Sequence, residues 1–107
     1  MTLSPPRDNP HWALAMNTRL PRATIGASQR ELAHLVGLHH TTLSHLELGR
    51  IGRPNTRTVT AIADFFGISP DQLTGRKTFL LELPAGIILE PLAFQPYQLD
   101  LDLPIAT

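Results

Sequence analysis

Residues 28–49 read S-Q-R-E-L-A-H-L-V-G-L-H-H-T-T-L-S-H-L-E-L-G, and this stretch decides the fold. Ser28 followed three residues later by Glu31 predicts a capping box, in which each side chain bonds the other residue's backbone N–H. The apolar residues after it recur at helical spacing, at Leu32, Leu35 and Val36. Gly37 adopts the left-handed conformation at little cost and ends the helix.

A second helix is predicted from about His40 to Leu48, closed by Gly49. Its apolar positions are Leu38, Leu43 and Leu46, and its polar face carries His39, His40, Thr41 and His45. Two short helices joined by a glycine turn form a helix-turn-helix unit. Hydrogen-bonding side chains of limited length on the outward face suit the reading of base edges in a major groove.

Helices are also predicted on both sides of this unit. One runs from about residue 11 to residue 20, where Pro21 stops or kinks it because proline has no N–H to donate. Asn55 or Thr56 caps a fourth helix, whose apolar positions are Val59, Ile62, Ala63, Phe65 and Phe66. Ser69 caps a fifth. Residues 10–75 thus form five short helices, after a flexible N-terminal arm at residues 1–9.

Composition excludes several kinds of protein. There is no cysteine, and the longest apolar run, residues 85–89, is far shorter than the roughly 20 residues of a membrane span. The N-terminus does not resemble a signal peptide, so we expect a cytoplasmic protein without membrane contact. The sequence contains no phosphate-binding glycine loop, nucleophile elbow or carboxylate pair. We therefore expect neither catalysis nor a bound cofactor. Four histidines fall within residues 34–45, but without metal-ligand spacing, so no metal site is predicted.

Charge is distributed unevenly although the net charge is zero. Residues 19–77 contain eight basic and four acidic side chains, a net +4, whereas residues 78–107 contain four acidic and no basic ones. A basic body predicts an anionic partner, and the acidic tail a different role.

The tail, residues 76–107, is rich in strand-like runs: T-F-L-L-E-L-P, G-I-I-L-E-P-L-A-F and Y-Q-L-D-L-D-L. The last alternates, with Tyr97, Leu99, Leu101 and Leu103 on one face. Prolines keep the runs short and suit edge strands. Apolar edge strands aggregate unless covered, so we expect a dimerisation or partner-binding arm, most simply covered by a second copy of the chain. A disordered tail is the alternative, which the apolar content disfavours.

Two stretches together resemble the Cro/repressor (XRE-type, lambda-repressor-like) helix-turn-helix family. They are G-A-S-Q-R-E-L-A-H-L-V-G-L-H-H-T-T-L-S-H-L-E-L-G-R and R-P-N-T-R-T-V-T-A-I-A-D-F-F-G-I-S-P-D-Q-L, within about residues 18–75. The resemblance implies an all-α, five-helix domain followed here by the β-strand-rich arm. It also implies a homodimer that binds double-stranded DNA at a palindromic operator, with helix 3 in the major groove.

The resemblance assigns roles to individual residues. Base-contacting positions are His40, Thr41 and His45. Backbone-contacting positions are Ser28, Gln29, His39, Thr42, Arg50, Arg53 and Asn55. Arg22 and Glu47 match a structural ion pair between the first and third helices. Histidine at the cap of helix 3 and at two base-reading positions departs from the usual pattern.

These features predict a transcriptional regulator, in the first place a repressor. One alternative is the antitoxin of a toxin–antitoxin pair, in which residues 78–107 bind the toxin. Another is a protein-binding adaptor that keeps the fold without binding DNA.

Overall fold

The computed structural model describes residues 9–50, 55–83, 86–89 and 92–94. It contains five helices, α1 Trp12–Thr24, α2 Gln29–Val36, α3 His40–Glu47, α4 Thr56–Phe66 and α5 Pro70–Leu73. Two short strands follow, β1 Leu81–Glu82 and β2 Ile88–Leu89. The prediction of five helices followed by a strand-containing arm is confirmed. None of the described helices is long and apolar enough to span a membrane.

Local capping sets the helix boundaries, as the sequence predicted. Ser28 Oγ accepts a hydrogen bond from the Glu31 N–H at 3.0 Å, and Glu31 Oε1 accepts one from the Ser28 N–H at 2.7 Å. Asn55 caps α4 by accepting from the N–H two residues further on at 2.7 Å. Ser69 and Gln72 form a second capping box at the start of α5. Each cap satisfies backbone donors that the first turn of a helix leaves without a partner.

Gly37 makes the turn between α2 and α3. Its φ of +75° lies in the left-handed region, which glycine adopts without the strain that a Cβ would cause. The next residue, Leu38, donates its N–H to Ala33 O at 2.8 Å and closes the end of α2. The chain then begins α3 at His40, so two helices meet across a turn of only three residues.

The first helix is longer than expected. We predicted its end near residue 20, but α1 continues to Thr24 with Pro21 inside it and buried. An interior proline removes one helical hydrogen bond, at a cost of about 3 kcal/mol. Helical bonding resumes at once, because the Ile25 N–H donates to Pro21 O at 3.1 Å. The extra turn carries Arg22, whose contacts with α3 are described below.

The core lies between the helices and includes residues of the arm. Its fully buried large apolar side chains are Leu32, Leu43, Leu46, Ile62 and Leu73. Two apolar residues with helical spacing lie outside this core: Leu35 is 60% exposed and Phe65 is 40% exposed. Periodicity identified the right helices, but it cannot tell how wide a stripe of each helix the neighbouring elements cover.

The arm packs back onto the helical domain. β1 and β2 are antiparallel, with Leu81 opposite Leu89 and Glu82 opposite Ile88. Leu81, Leu83 and Leu92 are buried in the same core as the helices. The packing therefore does not divide at residue 75, where the sequence suggested a boundary. The helical domain covers one side of this part of the arm, a role that we had assigned to a second copy. The Y-Q-L-D-L-D-L run lies outside the described residues.

Asn17 holds the end of this arm. It is fully buried in α1, and its Nδ2 donates to Gln72 O, Leu73 O and Ala93 O at 2.9–3.2 Å. Its Oδ1 accepts from the Ala93 N–H at 2.7 Å. One side chain thus joins α1, the end of α5 and the chain after β2. No described buried side-chain polar atom lacks a hydrogen-bond partner.

Candidate nucleic-acid interface

α3 turns its polar side chains to solvent. His40, Thr41 and His45 are exposed, whereas Leu43 and Leu46 on the opposite side are completely buried. Thr41 and His45 are four residues apart and therefore share one face, with His40 at its N-terminal end. In the described part of the chain, these three side chains form no hydrogen bonds. This face can therefore offer imidazole nitrogens, a hydroxyl and a methyl group to a ligand without breaking an internal contact.

The start of α3 is left open. His39 occupies the N-cap position with extended backbone, and its exposed side chain makes no capping hydrogen bond. The first-turn N–H groups therefore receive no side-chain cap, consistent with the weak capping expected of histidine. Thr42 is half-buried in the same turn. Unpaired N–H groups and the helix dipole favour a phosphate at such a position.

A buried ion pair connects α1 to the end of α3. Arg22 Nε donates to Glu47 Oε2 at 2.7 Å, and Nη2 donates to Oε1 at 2.9 Å. Arg22 Nη1 donates to Ala27 O at 2.7 Å, in the connection between α1 and α2. Only 2% of the Glu47 side chain is exposed, against 15% for Arg22. The bidentate geometry fixes the end of the outward-facing helix relative to α1.

Gln29 joins this ion pair, which the sequence did not predict. Its Nε2 donates to Glu47 Oε1 at 3.0 Å, so the first residue of α2 is tied to the last of α3. We had assigned Gln29 to a DNA phosphate. One amide proton and the amide oxygen remain for such a contact. Gln29 and Glu47 lie 18 residues apart, so no local spacing could have indicated the bond.

The other residues predicted to contact the DNA backbone lie before and after α3 in the sequence. Ser28 is exposed, and its Oγ accepts from a backbone N–H in the capping box. Arg50 is exposed directly after α3, and Asn55 is exposed at the cap of α4. Arg53 lies outside the described residues. Exposed donors therefore occur both before and after the outward face of α3.

One carboxyl group in the first turn of α2 has a lowered pKa. Hydrogen bonds from the Ser28 backbone N–H and then its side chain lower the pKa of Glu31 below its ordinary value. This carboxylate lies in the first turn of α2, where the helix dipole also favours negative charge. No group of three or more described His, Cys, Asp or Glu side chains is placed to hold a metal ion.

Comparison with known proteins places this geometry in a family. The helix-turn-helix family model matches residues 22–73. The hypothetical transcription factor NHTF from Neisseria is 32% identical, with 68% of this chain and 88% of that chain covered and a TM-score of 0.54. The restriction-modification controller protein C.AhdI from Aeromonas hydrophila is 26% identical over 57% and 91% of the two chains, with a TM-score of 0.51.

A third solved structure, the clp gene regulator ClgR from Corynebacterium glutamicum, is 28% identical. The match covers 64% of this chain and 71% of the ClgR chain, with a TM-score of 0.54. Likenesses below 25% identity, among them chains of Fe(II)-HppE, show the fold alone. No curated protein matches the chain in sequence. The matched residues span Arg22, the turn and α3, and the chain belongs to the XRE-type helix-turn-helix family of DNA-binding transcription regulators.

Proposed function

We propose that this chain is a homodimeric repressor that binds a palindromic operator with α3 in the major groove. The observation that carries the proposal is the outward face of α3, where His40, Thr41 and His45 are exposed and make no internal hydrogen bonds. Imidazole nitrogens donate to or accept from base edges, and threonine offers a methyl group to thymine. The role is regulation without catalysis, in the cytoplasm.

Phosphate contacts hold the helix in this position. The proposed contacts are Ser28, His39, Thr42, Arg50, Arg53 and Asn55, with Gln29 contributing the part of its amide that Glu47 leaves free. Since the base-reading face carries no arginine, much of the affinity comes from the phosphate backbone. Such affinity falls steeply as the salt concentration rises, because binding releases condensed counterions.

A titration on DNA tests this proposal. The wild type and the His40→Ala/His45→Ala variant are measured at two salt concentrations, on the protein's own upstream region and on a scrambled duplex. The matched control is His34→Ala, which removes an exposed histidine from α2 instead of α3. We expect the double variant to lose its preference for the upstream region and to keep weak, salt-dependent binding. The control should retain the preference.

Two results would contradict the proposal. Equal loss of preference in His34→Ala would mean that the histidines act through overall charge and not through α3. A folded wild type that binds no duplex would support the adaptor alternative. The antitoxin alternative predicts co-purification with a neighbouring gene product. Leu81, Leu83 and Leu92 are buried in the core of the helical domain, so a toxin would contact other residues of the arm.

A further inference from the structure

The last turn of α1 is helical against its local sequence preference. Proline at position 21 has no N–H, so the carbonyl of Asn17 cannot receive the bond that a helix normally makes from four residues further on. The residue before a proline also disfavours helical backbone, which argues for an end near Leu20. The helix nevertheless continues to Thr24. Residues 21–24 are therefore the part of α1 whose helical state depends on contacts with the rest of the fold.

Two sets of contacts lie on either side of this weak point. Before it, the fully buried side chain of Asn17 bonds both the N–H and the C=O of Ala93, at 2.7 and 2.9 Å. After it, Arg22 bonds both carboxylate oxygens of Glu47, at 2.7 and 2.9 Å. Residues 92–94 are called the strap below. The strap and the last residue of α3 are thus attached to the same helix, with the missing helical bond between their two attachment points.

The strap depends on Asn17 for its position. Its other backbone bond is long, because the Leu92 N–H donates to Phe79 O at 3.4 Å, beyond the usual range for an N–H donor. The strands that precede the strap are only two residues long each. The bonds between Asn17 and Ala93 are therefore the strongest polar contacts that hold the strap on the helical domain.

Release of the strap would also change the surroundings of α1. The amide of Asn17 would lose two of its partners in a buried position, where unpaired polar groups are costly. Leu92, which is 4% exposed, would leave the core that it shares with Leu14 of α1. The helix cannot keep the same packing after such a loss, and the turn that lacks a helical bond is the part that yields most easily.

We propose that α1 transmits the state of the strap to α3, and that the turn at residues 21–24 is the element that changes. With the strap on Asn17, the turn is helical and Arg22 fixes Glu47. When the strap is drawn away, the turn loses its helical state, the bonds between Arg22 and Glu47 loosen, and α3 no longer holds its outward face in position. Coupling is reciprocal, so DNA on α3 in turn strengthens the hold on the strap. This regulation rests on the proposed function.

Hydrogen exchange at the Nε–H of Arg22 tests the coupling without DNA. This proton is protected while it is bonded to Glu47, and NMR on the full chain measures its exchange rate. Asn17→Leu removes the bonds to the strap, and we expect the exchange to become about tenfold faster than in a control variant. The control is Ile62→Ala, which truncates a fully buried side chain of α4. Both variants are measured at urea concentrations that give them equal free energies of unfolding, so that global unfolding contributes equally.

Two further substitutions test the strap and the turn separately. Ala93→Pro removes the N–H that donates to Asn17 without altering α1, so it should accelerate the exchange as well. Pro21→Ala supplies the N–H that α1 lacks, so Asn17→Leu/Pro21→Ala should exchange at the rate of the control. The inference is overturned if neither Asn17→Leu nor Ala93→Pro exchanges faster than Ile62→Ala, or if the exchange stays fast after Pro21→Ala is added.

Titration with a duplex of the protein's own upstream region measures the consequence for α3. We expect Asn17→Leu to bind this duplex about fivefold or more weakly than Ile62→Ala does, although Asn17 is buried and far in sequence from the outward face of α3. Equal affinities of the two variants would overturn the transmission to the DNA-reading face.

The inference and the proposed function fail in different ways. If the wild type prefers its operator while the exchange at Arg22 in Asn17→Leu matches the control, the coupling is removed and α3 remains the DNA-reading helix. If the exchange is accelerated in a protein that binds no duplex, the coupling within the fold remains and the proposed function is removed.

Discussion

Replacing Arg22 by methionine would leave the carboxylate of Glu47 buried without its cation. Glu47 accepts three hydrogen bonds, and two of them come from Arg22. With 2% of its side chain exposed, Glu47 cannot exchange these bonds for water. Methionine keeps most of the volume, so the loss of charge and hydrogen bonds is separated from the loss of packing.

The expected loss in the free energy of unfolding follows from those contacts. A hydrogen bond to a charged group contributes about 1.5–3 kcal/mol, and removing one partner of a buried pair costs about 3–5 kcal/mol. We expect Arg22→Met to lower the free energy of unfolding by about 4 kcal/mol. Glu47→Met should cost less, about 2 kcal/mol, because Arg22 keeps its bond to Ala27 O and is 15% exposed to water.

The double variant Arg22→Met/Glu47→Met is the decisive comparison. It removes the stranded charge, so it should be more stable than Arg22→Met alone by about 2 kcal/mol. Urea unfolding measures all three variants through the fluorescence of Trp12, the single tryptophan. If Arg22→Met costs less than about 1 kcal/mol, the value typical of an exposed pair, or if the second substitution makes it worse, the reasoning is refuted.

Two further predictions concern the arm and the first turn of α2. Asn17→Leu leaves several backbone groups without partners and should cost about 3 kcal/mol in urea unfolding, with faster proteolysis near the C-terminus; unchanged stability would contradict the anchoring role. The pKa of Glu31 is lowered in the folded protein, so its carboxylate stabilises the fold at pH values above the ordinary pKa of glutamate, and this contribution is lost as the pH falls through the lowered pKa. An NMR titration should show that the pKa of Glu31 rises in Ser28→Ala. An unchanged pKa would exclude the hydroxyl of Ser28 as a cause.

The sequence alone determined the features that depend on neighbouring residues. The capping box at Ser28, the caps at Asn55 and Ser69 and the left-handed turn at Gly37 all form as predicted. Each is a contact within three residues or a backbone preference, so the residue types specify it directly. Helical spacing likewise located α2 to α4 and placed the polar face of α3.

Tertiary structure decided what depends on residues far apart in the chain. Pro21 remains inside α1, Gln29 bonds Glu47, and Asn17 fixes Ala93. The bonds of Gln29 and Asn17 join residues far apart in the chain, so local sequence preferences could not predict them. Periodicity could not show that Leu35 and Phe65 remain exposed, for the same reason. A sequence pattern gives the direction of a side chain from its helix, whereas only the packed fold determines which groups meet it there.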